Sequence, residues 1–90
     1  MAENCDGLLD RAKRKRASIT FPELCRLAEC FGFVFDRQKS SHYIYERPGT
    51  RPMDFQPRKR DEKMAKPYQV KQLLDFIATL PENEDHGSSL

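Results

Sequence analysis

Apolar positions along this chain switch from a helical period to strict alternation and back again, and the switches mark out its elements. Thr20-Phe21-Pro22-Glu23 opens the clearest helix. Thr20 is placed to cap it, Glu23 to reach back to the cap amide, and Ile19 and Leu24 to staple the entry. Pro22 falls in the first turn, where a missing N–H costs nothing. Leu24, Leu27, Ala28 and Phe31 follow the i, i+3, i+4, i+7 rule, and Gly32 ends the helix. The period then drops to two. Residues 33–37 read as a strand with Phe33 and Phe35 on one face, and residues 38–41 as a polar turn. In the next strand, 42–47, His42, Ile44 and Glu46 face one way and Tyr43 and Tyr45 the other. A Pro/Gly-rich turn at 48–52 precedes a short third strand, 53–56, which Pro57 ends. Residues 58–66 form a charged loop. Pro67 then opens a last helix with an apolar stripe of Val70, Leu73, Leu74 and Ile77, extended by Phe76 or Leu80 and stopped by Pro81.

These elements give an α+β order of α-β-β-β-α. Two helices on one face of a three-stranded antiparallel sheet bury both stripes together and leave the other face open. Leu8, Leu9 and Ala12 have helical spacing, so residues 1–18 add either an extra N-terminal helix or a basic arm. Residues 19–80 form the domain proper, and 81–90 an acidic, aperiodic tail. Ninety residues make one domain with room for a modest core.

Charge changes the picture more than size does. The net charge is only +2, yet all 16 Lys and Arg lie within residues 11–71, beside 7 of the 14 acids, a local net charge of +9. A basic body with acidic ends suits a polyphosphate ligand, although an ordinary solvated surface gives the same count. No long apolar run predicts a membrane span, and the acidic start does not have the layout of a secretion signal. Three cysteines, Cys5, Cys25 and Cys30, form no C-x-x-C pair. They read as free thiols in a reducing, cytoplasmic setting, with neither a disulfide nor a zinc site.

His42 is the one histidine in the expected folded part, and imidazole exchanges protons at cellular pH. Beside a basic surface it points to acid–base work on a polyanion; the plain alternative is a half-buried strand histidine. Tyr43 and Tyr45 suit base stacking or simple packing.

Several motifs together resemble the HicA (YcfA-like) toxins of bacterial toxin–antitoxin pairs. Ser40-Ser41-His42-Tyr43-Ile44-Tyr45, followed by Arg47-Pro48-Gly49, is similar to that family's Gly-Ser-His strand start and its p-x-g turn. Phe31-Gly32-Phe33 looks like its helix-to-strand corner. Phe55-Gln56-Pro57 and the run from Ala65-Lys66-Pro67-Tyr68 to Leu74 look like the QP…AKPYQV signature of one branch. The resemblance spans residues 19–80, and the downstream run is its most specific part. Ser40 stands where the family carries Gly, and serine is the costlier residue if the turn requires a positive φ.

The resemblance implies a double-stranded-RNA-binding-domain-like fold and an mRNA-cleaving toxin, with His42 catalytic and a HicB-type antitoxin as partner. No carboxylate cluster has metal-ligand spacing, so cleavage is expected to need no metal, and neither a small-molecule cofactor nor a membrane partner is expected. Lys39, Lys66 and Arg37 are the candidates to steady phosphorane charge. Ser40, Ser41, Arg58, Lys59 and Arg60 complete the expected RNA contacts. Two rivals stay open: an RNA-binding module of the same fold without catalysis, and a plain protein-interaction domain.

Overall fold

The computed structural model describes residues 3–81. Three helices, α1 (Cys5–Arg14), α2 (Phe21–Cys30) and α3 (Pro67–Ile77), accompany one antiparallel sheet of strands β1 (Val34–Lys39), β2 (His42–Glu46) and β3 (Met53–Phe55), ordered β1-β2-β3. This is the expected α+β arrangement, with the extra N-terminal helix present. Of the expected tail only Pro81 is among the described residues.

Local signals in the chain explain most boundaries. Both halves of the capping box form at α2: the Thr20 hydroxyl accepts from the Glu23 amide at 3.2 Å, and Glu23 Oε1 accepts from the Thr20 amide at 2.9 Å. Ile19 and Leu24, the staple pair, are fully buried. Gly32 turns the chain into β1 with φ +94°, and a side chain there would crowd Arg47, whose Nε donates to the Phe31 carbonyl at 2.8 Å.

One core joins the three helices to β2 and β3, with Phe33 just ahead of β1, while β1 itself is exposed along its length. Leu8 and Ala12 of α1, Leu24 and Leu27 of α2, and Val70 and Leu73 of α3 are fully buried with Phe33, Tyr45 and Phe55. The helices thus cover one sheet face. On that side Tyr43 packs edge-on against Phe21, with centroids 4.9 Å apart, and Tyr45 is buried. Both tyrosines are packing residues.

The N-terminal stretch is a helix held on three counts. Besides its buried residues, Arg11 pairs with Glu3 and Glu23 and donates to the Ser18 carbonyl at 3.0 Å. Cys5 and Cys30 are joined by a disulfide, their Cα atoms 6.0 Å apart. This corrects the expectation of three free thiols. Spacing within α2 separates Cys25 from Cys30, but packing of α1 brings the distant Cys5 onto the end of α2. Cys25 remains free. Burial pushes its thiol pKa up, and it shares a hydrogen bond with Tyr45 on the helix side of the sheet.

Two irregularities place side chains on the open face. The β1–β2 register runs Phe35↔Tyr45 and then Arg37↔Ile44, so Asp36 is bulged out. The bulge shifts parity, which puts Lys39 across from His42 and Arg37 across from Ile44. Without it, Gln38 would oppose His42. β3 is an edge strand whose outward backbone is satisfied by one side chain of α3. The buried Gln69 accepts from the Gln56 amide at 2.8 Å and donates to the Asp54 carbonyl at 3.1 Å.

Candidate active site on the open sheet face

His42 begins β2 directly after a two-residue hairpin turn. Ser40 carries φ +58° and is the only non-glycine with positive φ among the described residues. A positive φ at the first central position alone is the signature of a type II′ turn, which favours Gly there. Serine in this turn holds the chain in a glycine-preferred conformation and delivers His42 to the open face.

The β2–β3 register pairs Ile44 with Asp54 and Tyr43 with Phe55. Carried on by one residue, it sets Gln56 opposite His42, with Asp54 as its diagonal neighbour on the same face. The side chains meet there. His42 Nδ1 lies 2.7 Å from Asp54 Oδ2. A carboxylate only accepts, so Nδ1 carries the proton and donates to Asp54. The neutral ring then has its lone pair on Nε2, and the Gln56 amide nitrogen, 2.8 Å from Nε2 and 3.0 Å from Nδ1, rests against the ring face and not in line with that lone pair.

The orientation of Gln56 is fixed from its other end. Lys66 Nζ donates to Gln56 Oε1. An ammonium has donors only, so it must face the amide oxygen, which turns the amide nitrogen toward the ring. Lys66, Gln56, His42 and Asp54 thus form one contiguous chain of contacts on the open face. His42 and Asp54 keep 44% and 48% of their side-chain surface exposed, so the dyad is open to a large ligand.

Two depressions flank this chain. One, of about 410 Å³, is lined by His42, Asp54, Gln56, Tyr68 and Gln72 among others. The second, of about 210 Å³, is lined by Ser41, Gln56, Arg58, Lys59, Glu62 and Lys66. Gln56 belongs to both and forms the ridge between them.

The residues expected from sequence divide into groups. Lys39 and Arg37 share the open face with His42 through the bulge, and Arg37 also pairs with Asp36. Lys66 reaches the histidine through Gln56. Ser40 and Ser41 form the turn, and Lys59 lines the second depression beside Ser41. Arg60 is exposed on the neighbouring loop. Arg58 is engaged with the backbone: its Nε donates to the Ala65 carbonyl at 2.8 Å and its Nη2 to the Ala17 carbonyl at 3.0 Å. With the Thr20↔Met64 and Pro57↔Ala65 bridges, these bonds tie the charged loop to the start of α2.

Sequence reasoning missed Asp54, the role of Gln56, and Gln69. Asp54 had a readable signal: it is the one acid in the expected third strand and alternates with the apolar Met53 and Phe55. That parity sends it to the open face with His42 once the strands are paired.

A family model described as the HicA toxin of bacterial toxin–antitoxin matches residues 21–76 of the 90-residue chain. The match starts at the first residue of α2 and takes in His42, Asp54, Gln56 and Lys66, leaving α1 outside. No curated protein and no solved structure matches the chain.

Proposed function

The chain belongs to the HicA toxin family, the toxin half of bacterial toxin–antitoxin pairs, and on that premise we propose a metal-independent endoribonuclease with His42 as its catalytic base. The observation that carries this reading is the His42–Asp54 contact of 2.7 Å. It makes Nε2 the lone-pair nitrogen on a half-exposed ring beside Lys66 and Lys39, where a base acting on RNA must be.

RNA brings its own nucleophile. A 2′-hydroxyl donates to the Nε2 lone pair and gives up its proton there. The oxygen attacks the adjacent phosphate. The 5′-oxygen leaves with a proton from solvent, and the products are a cyclic 2′,3′-phosphate and a free 5′-hydroxyl. Asp54 stabilises the imidazolium as it forms. Lys66, released from Gln56, and Lys39 meet the charge that grows on the phosphorane. A positioned base of this kind contributes about 10²–10⁴-fold. Arg37, Lys59 and Arg60 hold the RNA backbone with Ser40 and Ser41 of the turn. This binding is salt-sensitive and carries little base readout. Arg58 acts by fixing the loop that presents its neighbours. A HicB-type antitoxin neutralises the toxin by covering the open face.

One observation favours a second reading, an RNA-binding module without catalysis: the turn that presents His42 carries Ser40 at φ +58°, where glycine is preferred. Cleavage of a labelled mRNA in EDTA, wild type beside His42→Ala, separates the two. Cleavage by the wild type alone supports the ribonuclease. RNA binding without cleavage by either protein supports the module, and equal cleavage by both removes His42 from the chemistry.

A further inference from the structure

Aromatic groups that face solvent beside a phosphate-cleaving site are scarce in this molecule. Tyr43 and Tyr45, the stacking candidates from sequence, lie on the helix side of the sheet. Among the described residues three large apolar side chains are exposed: Val34, Phe35 and Tyr68. Phe35 sits edge-on to Tyr45, with centroids 5.6 Å apart, on that same side. Tyr68 stands apart from the core at 56% exposure, in the first turn of α3. It lines the roughly 410 Å³ depression that holds His42 and Asp54.

The rest of that depression suits a flat heterocycle. Gln72, one helical turn after Tyr68, adds an amide with both a donor and an acceptor. Pro52 and Met53 give it an apolar side. The floor is rigid, because Gln69, between the two helix positions, is buried and bonded twice to the backbone of β3. By contrast, Ser41, Lys59 and Lys66 line the depression across the Gln56 ridge. One side of the ridge thus offers an aromatic face and amides, the other cations.

We propose that the depression between β3 and α3 is a nucleobase subsite, in which a base of single-stranded RNA next to the scissile phosphate stacks on Tyr68 and has its edge read by Gln72. The inference rests on the ribonuclease reading for its substrate. Single-stranded RNA presents unstacked bases to aromatic side chains in this way. The subsite makes Tyr68 and Gln72 specificity-determining residues for the base adjoining the cleaved bond, while the cationic side takes the phosphates.

The test is binding of two fluorescein-labelled, 2′-deoxy-substituted oligomers of equal length, one a homopolymer and one an abasic backbone. Each is titrated with the full chain as wild type, Tyr68→Ala and Tyr68→Phe. Stacking on one aromatic side chain predicts that Tyr68→Ala weakens homopolymer binding about 5- to 150-fold. Abasic binding stays unchanged, and Tyr68→Phe stays close to wild type. Equal loss on both oligomers, no loss on either, or no RNA binding by the wild type overturns the subsite. These oligomers cannot be cleaved through a 2′-hydroxyl, so the result is independent of catalysis. A catalytically silent wild type that still shows the Tyr68 effect refutes the ribonuclease reading and leaves the subsite standing.

Discussion

Replacing Asp54 with asparagine removes one negative charge and little else. Asparagine is isosteric, and its Oδ1 can still accept from His42 Nδ1 across the 2.7 Å contact. Ring orientation and tautomer survive. What is lost is the attraction between the carboxylate and the positive ring that forms when Nε2 takes a proton. At a charge separation of ~4 Å that attraction is ~1 kcal/mol in water and ~4 kcal/mol near a protein surface of effective dielectric 20. With side chains 44% and 48% exposed, the dyad lies between these limits. A value of about 2 kcal/mol corresponds to a loss of about 30-fold in kcat. KM changes little, since the phosphate contacts are untouched. Single-turnover cleavage of a labelled RNA in EDTA measures this directly. The loss should shrink as salt is raised, because half-exposed charges are screened. Suppose instead that Asp54→Asn cleaves within about threefold of wild type while His42→Ala is inactive. Asp54 would then be an ordinary surface partner of the histidine, with no part in stabilising its charged form during cleavage.

Two further predictions concern stability. Ser40→Gly removes the strain of a positive φ, about 1–3 kcal/mol, against an added chain entropy of about 0.5–1 kcal/mol. The net gain of about 1 kcal/mol should raise Tm by roughly 4–8 °C in calorimetry; an unchanged or lower Tm would show that the turn carries no such strain. Acid stability should depend on Arg11. The Arg11 guanidinium holds the Glu3 carboxyl below its usual range. For Glu23, burial raises the pKa, but the Thr20 amide and Arg11 outweigh it and leave it lowered. Depressed carboxyl pKa values stabilise the fold above the unfolded values near 4.5 and lose that effect as pH falls through the folded ones. Arg11→Gln should therefore be less stable at neutral pH, with the gap to wild type narrowing below about pH 4.5. A gap that stays constant down to pH 3 in urea titrations would contradict this assignment.

The elements legible in the sequence were those written in local chemistry. The Thr20/Glu23 box, Pro67 at the start of α3 and the alternation through Tyr45 each depend on residues within a few positions of one another, and each element formed where expected. The boundaries that moved did so for tertiary reasons. Strand β1 runs to Lys39 because the hairpin closes through two residues, Ser40 and Ser41, instead of four. The bulge at Asp36 has no glycine to announce it, and it decides which of Arg37, Gln38 and Lys39 shares a face with His42. His42 and Lys66 could be singled out from the sequence, but the contacts that join them could not. Asp54 and Gln56 reach His42 across 12 and 14 residues of chain through a strand pairing that only the fold supplies. The Cys5–Cys30 bond escaped for the same reason, since a separation of 25 residues has no local signature.

Gln69 has a consequence for the sheet as a whole. By occupying the Gln56 amide and the Asp54 carbonyl, it substitutes for the backbone of a fourth strand. The sheet therefore has polarity: one margin is sealed from within, and lateral growth is left to β1 alone. At that margin the bulge at Asp36 breaks the regular ladder, and Arg37 and Lys39 add charge beside the exposed Val34 and Phe35, features that discourage a second copy from joining edge to edge. A glutamine beneath the open face thus helps keep a small, highly charged protein a finite particle rather than the first unit of a ribbon.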